Sequence, residues 1–212
     1  MKAITAHVKR VVLINPNNPT GTVESLAAIE AFVQQVPPET MVLIDEAYFD
    51  FTPGAAQVTA MQLPAKYPNV VVMRTFSKAY GLANFRIGYA VFNTKYAATM
   101  QTIRLPYDVN SLAQVAVLAA IDYPNFVKQT VQKNATERAK WMAFFDDQGV
   151  TYDQSGANFI FFKYPSATQL ADYLVHHGYL IRTGLRPGWL RLTVGTASDN
   201  QQLQQLIREF KA

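Results

Sequence analysis

Short apolar runs at residues 11–14, 41–44, 70–73 and 87–92 punctuate the first half of the chain, and each reads as a buried strand. Between the first two, Leu26, Ile29 and Val33 recur at helical spacing within residues 24–36, and Pro37-Pro38 stops that helix. This βαβ rhythm predicts a mostly parallel sheet with right-handed crossovers. The pattern changes after Arg104. Residues 111–121 and 126–148 read as two helices broken at Tyr123-Pro124, with Gly149 at a helix C-cap. Beyond them the pattern predicts a strand over 159–162, a helix over 167–177 and short strands over 179–182 and 189–194. A final helix carries a capping box at 198–201 and an apolar stripe of Leu203, Leu206, Ile207 and Phe210. The expected fold class is α/β. A mostly parallel, partial large domain over residues 1–122 precedes a small α+β domain over 123–212, with no flexible linker between them. A doubly wound sheet needs more strands than this chain supplies before the small domain begins, which predicts that an N-terminal portion is absent.

With 212 residues, half of them hydrophobic, the chain can bury a substantial core. It has no cysteine, which excludes disulfides, thiolate catalysis and thiolate zinc sites. Its apolar runs fall far short of a membrane span, and Met1-Lys2-Ala3-Ile4-Thr5 lacks the apolar core of a signal peptide, so a cytoplasmic address is expected. The net charge is only +4, but its distribution is uneven. Lys66, Arg74, Lys78, Arg86, Lys95 and Arg104 fall in a window, between Asp50 and Asp108, that holds no acidic residue. A field of one sign attracts phosphate esters and carboxylates. Nucleic acid is disfavoured as a partner, because these cations are spaced singly through apolar segments.

Chemistry-bearing residues gather where the predicted strands end. After the first strand, Asn15-Pro16-Asn17-Asn18-Pro19-Thr20-Gly21 forms a constrained turn that aims an amide from the strand's carboxyl end. The second strand ends in Asp45-Glu46-Ala47-Tyr48. A carboxylate there can hold a pyridinium nitrogen protonated and a phenol can donate to a ring oxygen, or Asp45 can cap the following turn. The third ends in Arg74-Thr75-Phe76-Ser77-Lys78, with Arg86 eight residues beyond the lysine. Lys78 is either a solvated loop lysine or an amine poised to form an imine, with Thr75, Ser77 and Arg86 holding an anion beside it. An amide, a carboxylate, a phenol, an amine and an anion cluster on one sheet edge are what pyridoxal 5′-phosphate requires. No glycine-rich dinucleotide or nucleotide-phosphate motif is present, and His7, His176 and His177 lack metal-ligand spacing.

The chain resembles the fold-type I pyridoxal-phosphate aminotransferases of class I/II, and among them the histidinol-phosphate branch. The matching stretches are residues 15–21, 42–48 (VLIDEAY), 74–89 (RTFSKAYGLANFRIGY), 105–114 (LPYDVNSLAQ) and 190–196 (LRLTVGT). The resemblance implies that Lys78 bonds covalently to the cofactor and shuttles the substrate proton. It implies that Asp45 pairs with the pyridine nitrogen, that Tyr48 and Asn18 bond the ring oxygen, and that Thr75, Ser77 and Arg86 grip the phosphate. Arg191 would bind the substrate carboxylate as a bidentate fork, with Arg182 a second substrate-side arginine. The implied reaction moves an amino group from a phosphorylated amino alcohol, histidinol phosphate, to the 2-oxo acid 2-oxoglutarate in histidine biosynthesis. The implied assembly is a homodimer, or a chain complemented by a missing N-terminal segment that supplies phosphate donors and a ring over the pyridine. Other fold-type I activities (aspartate or aromatic aminotransfer, or threonine-phosphate decarboxylation) and a non-catalytic fragment remain as alternatives. Asn84 replaces a glycine usual in the family, and Asp108 an asparagine common in the branch.

Overall fold

The computed structural model describes residues 4–5 and 7–211, so Met1, Lys2 and Ala3 of the leading segment lie outside the described residues. Strands β1 (Arg10–Ile14), β2 (Met41–Asp45), β3 (Val70–Thr75) and β4 (Gly88–Phe92) form one sheet in the order β1-β2-β3-β4. The first three run parallel and β4 returns antiparallel to β3. Helix α1 (Leu26–Val33) connects β1 to β2. It starts later than residue 24 because Ser25 takes the N-cap, its Oγ accepting from the Ala28 N–H at 3.1 Å. Between β2 and β3 lie a single 3-10 turn (Phe49–Phe51) and the short helices α2 (Ala55–Val58) and α3 (Leu63–Lys66).

The central strands anchor the first core. Val42, Ile44, Val70 and Val72 are fully buried and pack with Ile29 and Val33 of α1. Each such side chain contributes about 1.5–3 kcal/mol of apolar burial. The expectation of a buried strand at 87–92 fails in part. Gly88, Tyr89 and Ala90 of β4 are exposed, as is Val12 of β1, because no further strand covers either outer edge among the described residues.

Helices α4 (Ala97–Ile103), α5 (Ser111–Asp122) and α6 (Pro124–Asp147) follow, with Pro124 opening α6 where its missing N–H is harmless. Gly149 then ends the helix at φ +62°. Strand β5 (Phe159–Lys163), α7 (Ala167–His176), β6 (Trp189–Thr193) and α8 (Ala197–Glu209) complete the chain. Antiparallel β5 and β6 carry Ile160, Phe162 and Leu190 into a second core with Trp141, Phe145 and Leu174. Two expectations are corrected here. Residues 179–182 form only an isolated bridge, Arg182 to Arg191, since the chain turns away through Gly184 and Gly188 at positive φ. The cap of α8 is Thr196, not Ser198: Thr196 is the last extended residue, and its Oγ1 accepts from the Asp199 N–H at 3.2 Å.

Candidate active site

Parallel register brings three loops to one sheet edge. Ile14 pairs with Asp45, and Asp45 with Met73, so the segments following β1, β2 and β3 leave side by side. In the first, buried Asn15 braces the turn: its Oδ1 accepts from the Glu24 N–H at 2.8 Å and its Nδ2 donates to the Glu24 carbonyl at 3.1 Å. The Gly156 N–H donates to the Gly21 carbonyl at 2.8 Å, fastening the same turn to the segment before β5. Asn18 is exposed on that turn, and Arg191 Nη1 donates to its Oδ1 at 2.6 Å.

In the second loop Asp45 Oδ1 accepts from the Ala47 N–H at 2.9 Å, the turn-capping contact that the sequence left open. Tyr48 is buried, and its ring meets Phe159 edge-on at 5.0 Å between centroids. The third loop is closed at its base by antiparallel pairing of Thr75 with Gly88 and by the Phe76 N–H donating to the Ile87 carbonyl at 3.2 Å. Ser77 follows this closed base on one arm of the loop and Arg86 precedes it on the other. Thr75 Oγ1 accepts from the Ser77 N–H at 3.0 Å. Arg86 adopts a left-handed backbone at φ +54° and donates from Nη1 to the Ala83 carbonyl at 2.8 Å. The left-handed residue is thus Arg86, whereas Asn84 lies inside a 3-10 turn, Ala83–Phe85.

Lys78 is exposed, with Nζ 5.1 Å from the centre of the Tyr48 ring. It borders a cleft of about 690 Å³ together with Phe51, Lys133, Asn158 and Thr196. The Arg191 guanidinium lies 4.8 Å from the Phe159 ring centre, and its Nε is buried without a hydrogen-bond partner. The Arg182 and Arg191 backbones exchange hydrogen bonds of 3.2 and 2.9 Å, so the two side chains share a face of the ladder. Like charges opposed in this way destabilise each other unless an anion lies between them. The structure therefore joins Lys78, Tyr48, Phe159, Arg191 and Asn18 in one chain of contacts. Thr75 and Ser77 lie on one arm of a loop and Arg86 on the other, and Asp45 enters by strand register alone.

The expected one-signed field is narrower than the sequence suggested. Arg74 pairs with Glu46, Lys66 with Glu30, and Arg104 with Asp108 at 2.8 Å. The Arg104 guanidinium holds the Asp108 carboxyl below its usual range, so the charge that set this position apart is already matched. Phe159, the ring platform shared by Tyr48 and Arg191, was not anticipated; an apolar residue in a strand carries no local signal of such a role. Glu46 and Arg74 lie within the recognised motifs, but their contact joins positions 28 residues apart.

The chain belongs to the aminotransferase class I and II family, whose model matches residues 1–210. Over 212 residues it is 96% identical to a histidinol-phosphate aminotransferase of Lactiplantibacillus plantarum, a match covering 100% of this chain and 60% of that protein. A histidinol-phosphate aminotransferase of Limosilactobacillus fermentum is 50% identical over 210 residues, covering 99% of this chain and 58% of its own length. A solved histidinol-phosphate aminotransferase of Sinorhizobium meliloti, in complex with pyridoxal-5′-phosphate, superposes with a TM-score of 0.83 at 29% identity, over 95% of this chain and 58% of that one. The chain spans about 60% of the length of the curated relatives it matches. Among the described residues no helix is long and apolar enough to cross a membrane.

Proposed function

We propose that this chain carries the lysine-bearing part of a pyridoxal-phosphate-dependent aminotransferase that moves an amino group from histidinol phosphate to 2-oxoglutarate. The observation that carries the reading is the placement of Lys78 against Tyr48, on the edge where Asp45 ends β2 and where Thr75, Ser77 and Arg86 lie on the two arms of one loop. The donor set fits the cofactor: an amine, a carboxylate, a phenol, and hydroxyls with a guanidinium for a phosphate.

In this reading Lys78 holds the cofactor covalently and then moves a proton to and from the substrate Cα. Asp45 keeps the ring nitrogen protonated, Tyr48 and Asn18 donate to the ring oxygen, and Thr75, Ser77 and Arg86 grip the phosphate. The bound cofactor supplies an electron sink for the charge left at Cα. Arg191, its fork held by Asn18 and the Phe159 ring, takes the anionic end of each substrate in turn, and Arg182 assists from the same face. This reading divides the chain into a partial cofactor-binding domain of residues 1–122 and a small domain of 123–212, in a cytoplasmic enzyme.

A polypeptide partner completes this proposal. The chain exposes 12676 Å², where a compact monomer of 23.7 kDa exposes about 9,800 Å². The excess is larger than one partner's share of a standard interface, about 800 Å². Ile103, Leu105, Leu112, Val115, Leu118 and Phe126 add exposed apolar surface along α4 to α6. A second copy, or a polypeptide carrying the part of the relatives outside the match, would cover it. The test is amino transfer from histidinol phosphate to 2-oxoglutarate by the purified chain with pyridoxal phosphate, alone and with that added polypeptide. Glutamate formation is expected. Equal or faster reaction with aromatic donors would reject the substrate assignment.

A further inference from the structure

Glu46 has no part in the roles above, yet its side chain is fully buried and satisfied at both oxygens. Arg74 Nε and Nη2 donate to Oε2 at 2.9 and 2.8 Å, and the Ala60 N–H donates to Oε1 at 2.7 Å. Thr59 Oγ1 lies 3.1 Å from Oε2 and accepts from Arg74 Nη2 at 2.9 Å. The Glu46 N–H donates to the Met73 carbonyl at 2.9 Å. The same Arg74 guanidinium lies over the Phe49 ring, 4.1 Å from its centre. One side chain of β3 therefore grips both Glu46, next to Asp45, and Phe49, the two residues that bracket Ala47 and Tyr48. Arg74 also immediately precedes Thr75, in the strand that delivers Ser77 and Lys78.

Stability is a poor explanation for such a pair. Buried ion pairs repay little of their desolvation cost, and packed apolar replacements are often as stable or more so. What apolar side chains cannot supply is a planar fork that fixes one backbone segment against another. We propose that Glu46 and Arg74 are positioning residues that hold the segment bearing Asp45 and Tyr48 in register with the segment bearing Thr75, Ser77 and Lys78. This rests on the cofactor reading above, because it assigns those two segments to one ligand.

The test is the double variant E46L/R74M in the full chain. Three quantities are read: the melting temperature, the dissociation constant for pyridoxal phosphate from its visible absorbance, and amide hydrogen exchange across residues 46–51. A positioning role predicts dissociation constants raised on the order of tenfold and faster exchange confined to 46–51, while any fall in melting temperature reflects the Ala60 N–H left without its acceptor. An unchanged dissociation constant with unchanged exchange overturns the proposal. Should the double variant fail to fold, R74K retains the charge and the Ala60 acceptor but loses the planar fork, and weaker affinity with little change in melting temperature is expected; an unchanged affinity there also overturns it. A wild-type chain that shows no visible absorbance with pyridoxal phosphate sinks the cofactor reading instead, and exchange at 46–51 then still decides whether the pair sets the segment.

Discussion

Arg191 and Asn18 lie 173 positions apart and meet in a hydrogen bond of 2.6 Å. One belongs to β6 and the other to the turn after β1, so the contact joins the two sheets directly across the site. It leaves Arg191 Nε buried and without a partner, beside the Phe159 ring. A guanidinium held by Asn18 at one nitrogen and by the Phe159 ring on its face has its planar fork fixed for pairing with an anion. Arg191→Lys keeps the charge but loses that fork. KM for both anionic substrates should rise on the order of tenfold with kcat little changed, the pattern expected when uniform binding is lost. Steady-state kinetics with each substrate varied in turn reads this split.

The turn around Asn18 depends on Gly21. Its φ is +76°, and a Cβ added there would fall 2.2 Å from Ser155 Oγ and 3.1 Å from Ser155 Cα. Gly149 also has positive φ, but nothing lies within 4 Å of its added Cβ. Gly149→Ala should therefore cost about 1 kcal/mol, for the backbone alone. Gly21→Ala should cost more and loosen the turn from the segment before β5. Urea denaturation of both variants gives the comparison; equal losses would contradict the steric account.

Arg138 is almost fully buried on α6, and its Nη1 donates to the Ala157 carbonyl at 2.7 Å and to the Phe51 carbonyl at 3.2 Å. It ties the long helix to both sides of the cleft. Arg138→Met strands both carbonyls, at about 1–3 kcal/mol each. A stability loss of that size, seen as a lower denaturation midpoint with an unchanged slope, is expected.

How far these features could be read in advance depended on range. Val42, Ile44, Val70 and Val72 are buried on a central pair of strands, and their uninterrupted apolar runs announced them. The edge strands were overrated as buried, because composition does not say which strands have neighbours. The short helices at 55–58 and 63–66 were invisible, since a single helical turn carries no periodicity. In the candidate site, Asn18, Asp45, Tyr48, Lys78 and Arg86 stand out in the sequence because they lie at or beside strand ends, in stretches rich in proline, glycine and polar residues. The Glu46–Arg74 pair, 28 residues apart, and the Phe159 platform arise from tertiary packing, which no local spacing records.

Asp50 gives a pH signature. Burial raises its carboxyl above the ordinary 3.8, and the nearby Arg74 charge only partly offsets this. A raised folded-state value means that the native protein holds this proton more tightly than the unfolded chain does. Stability from this group is therefore present below 3.8 and is lost as pH climbs through the raised value. Asp50→Asn removes that loss. The variant should melt higher than wild type at neutral pH, and the difference should shrink as pH falls towards 3.8. Thermal melts across this range read the convergence, and a difference that widens towards acid would contradict the assignment.

The central claim is that Lys78 is the amine that takes the cofactor. Incubating the chain with pyridoxal phosphate, reducing with borohydride and mapping peptides by mass spectrometry tests it most directly, because reduction freezes the covalent bond at the lysine that formed it. The account predicts label concentrated on Lys78 in the wild-type chain and absent from that peptide in Lys78→Ala, with Lys66, Lys95 and Lys133 at background in both. Wild-type label spread evenly over those exposed lysines, or missing from Lys78, would contradict it.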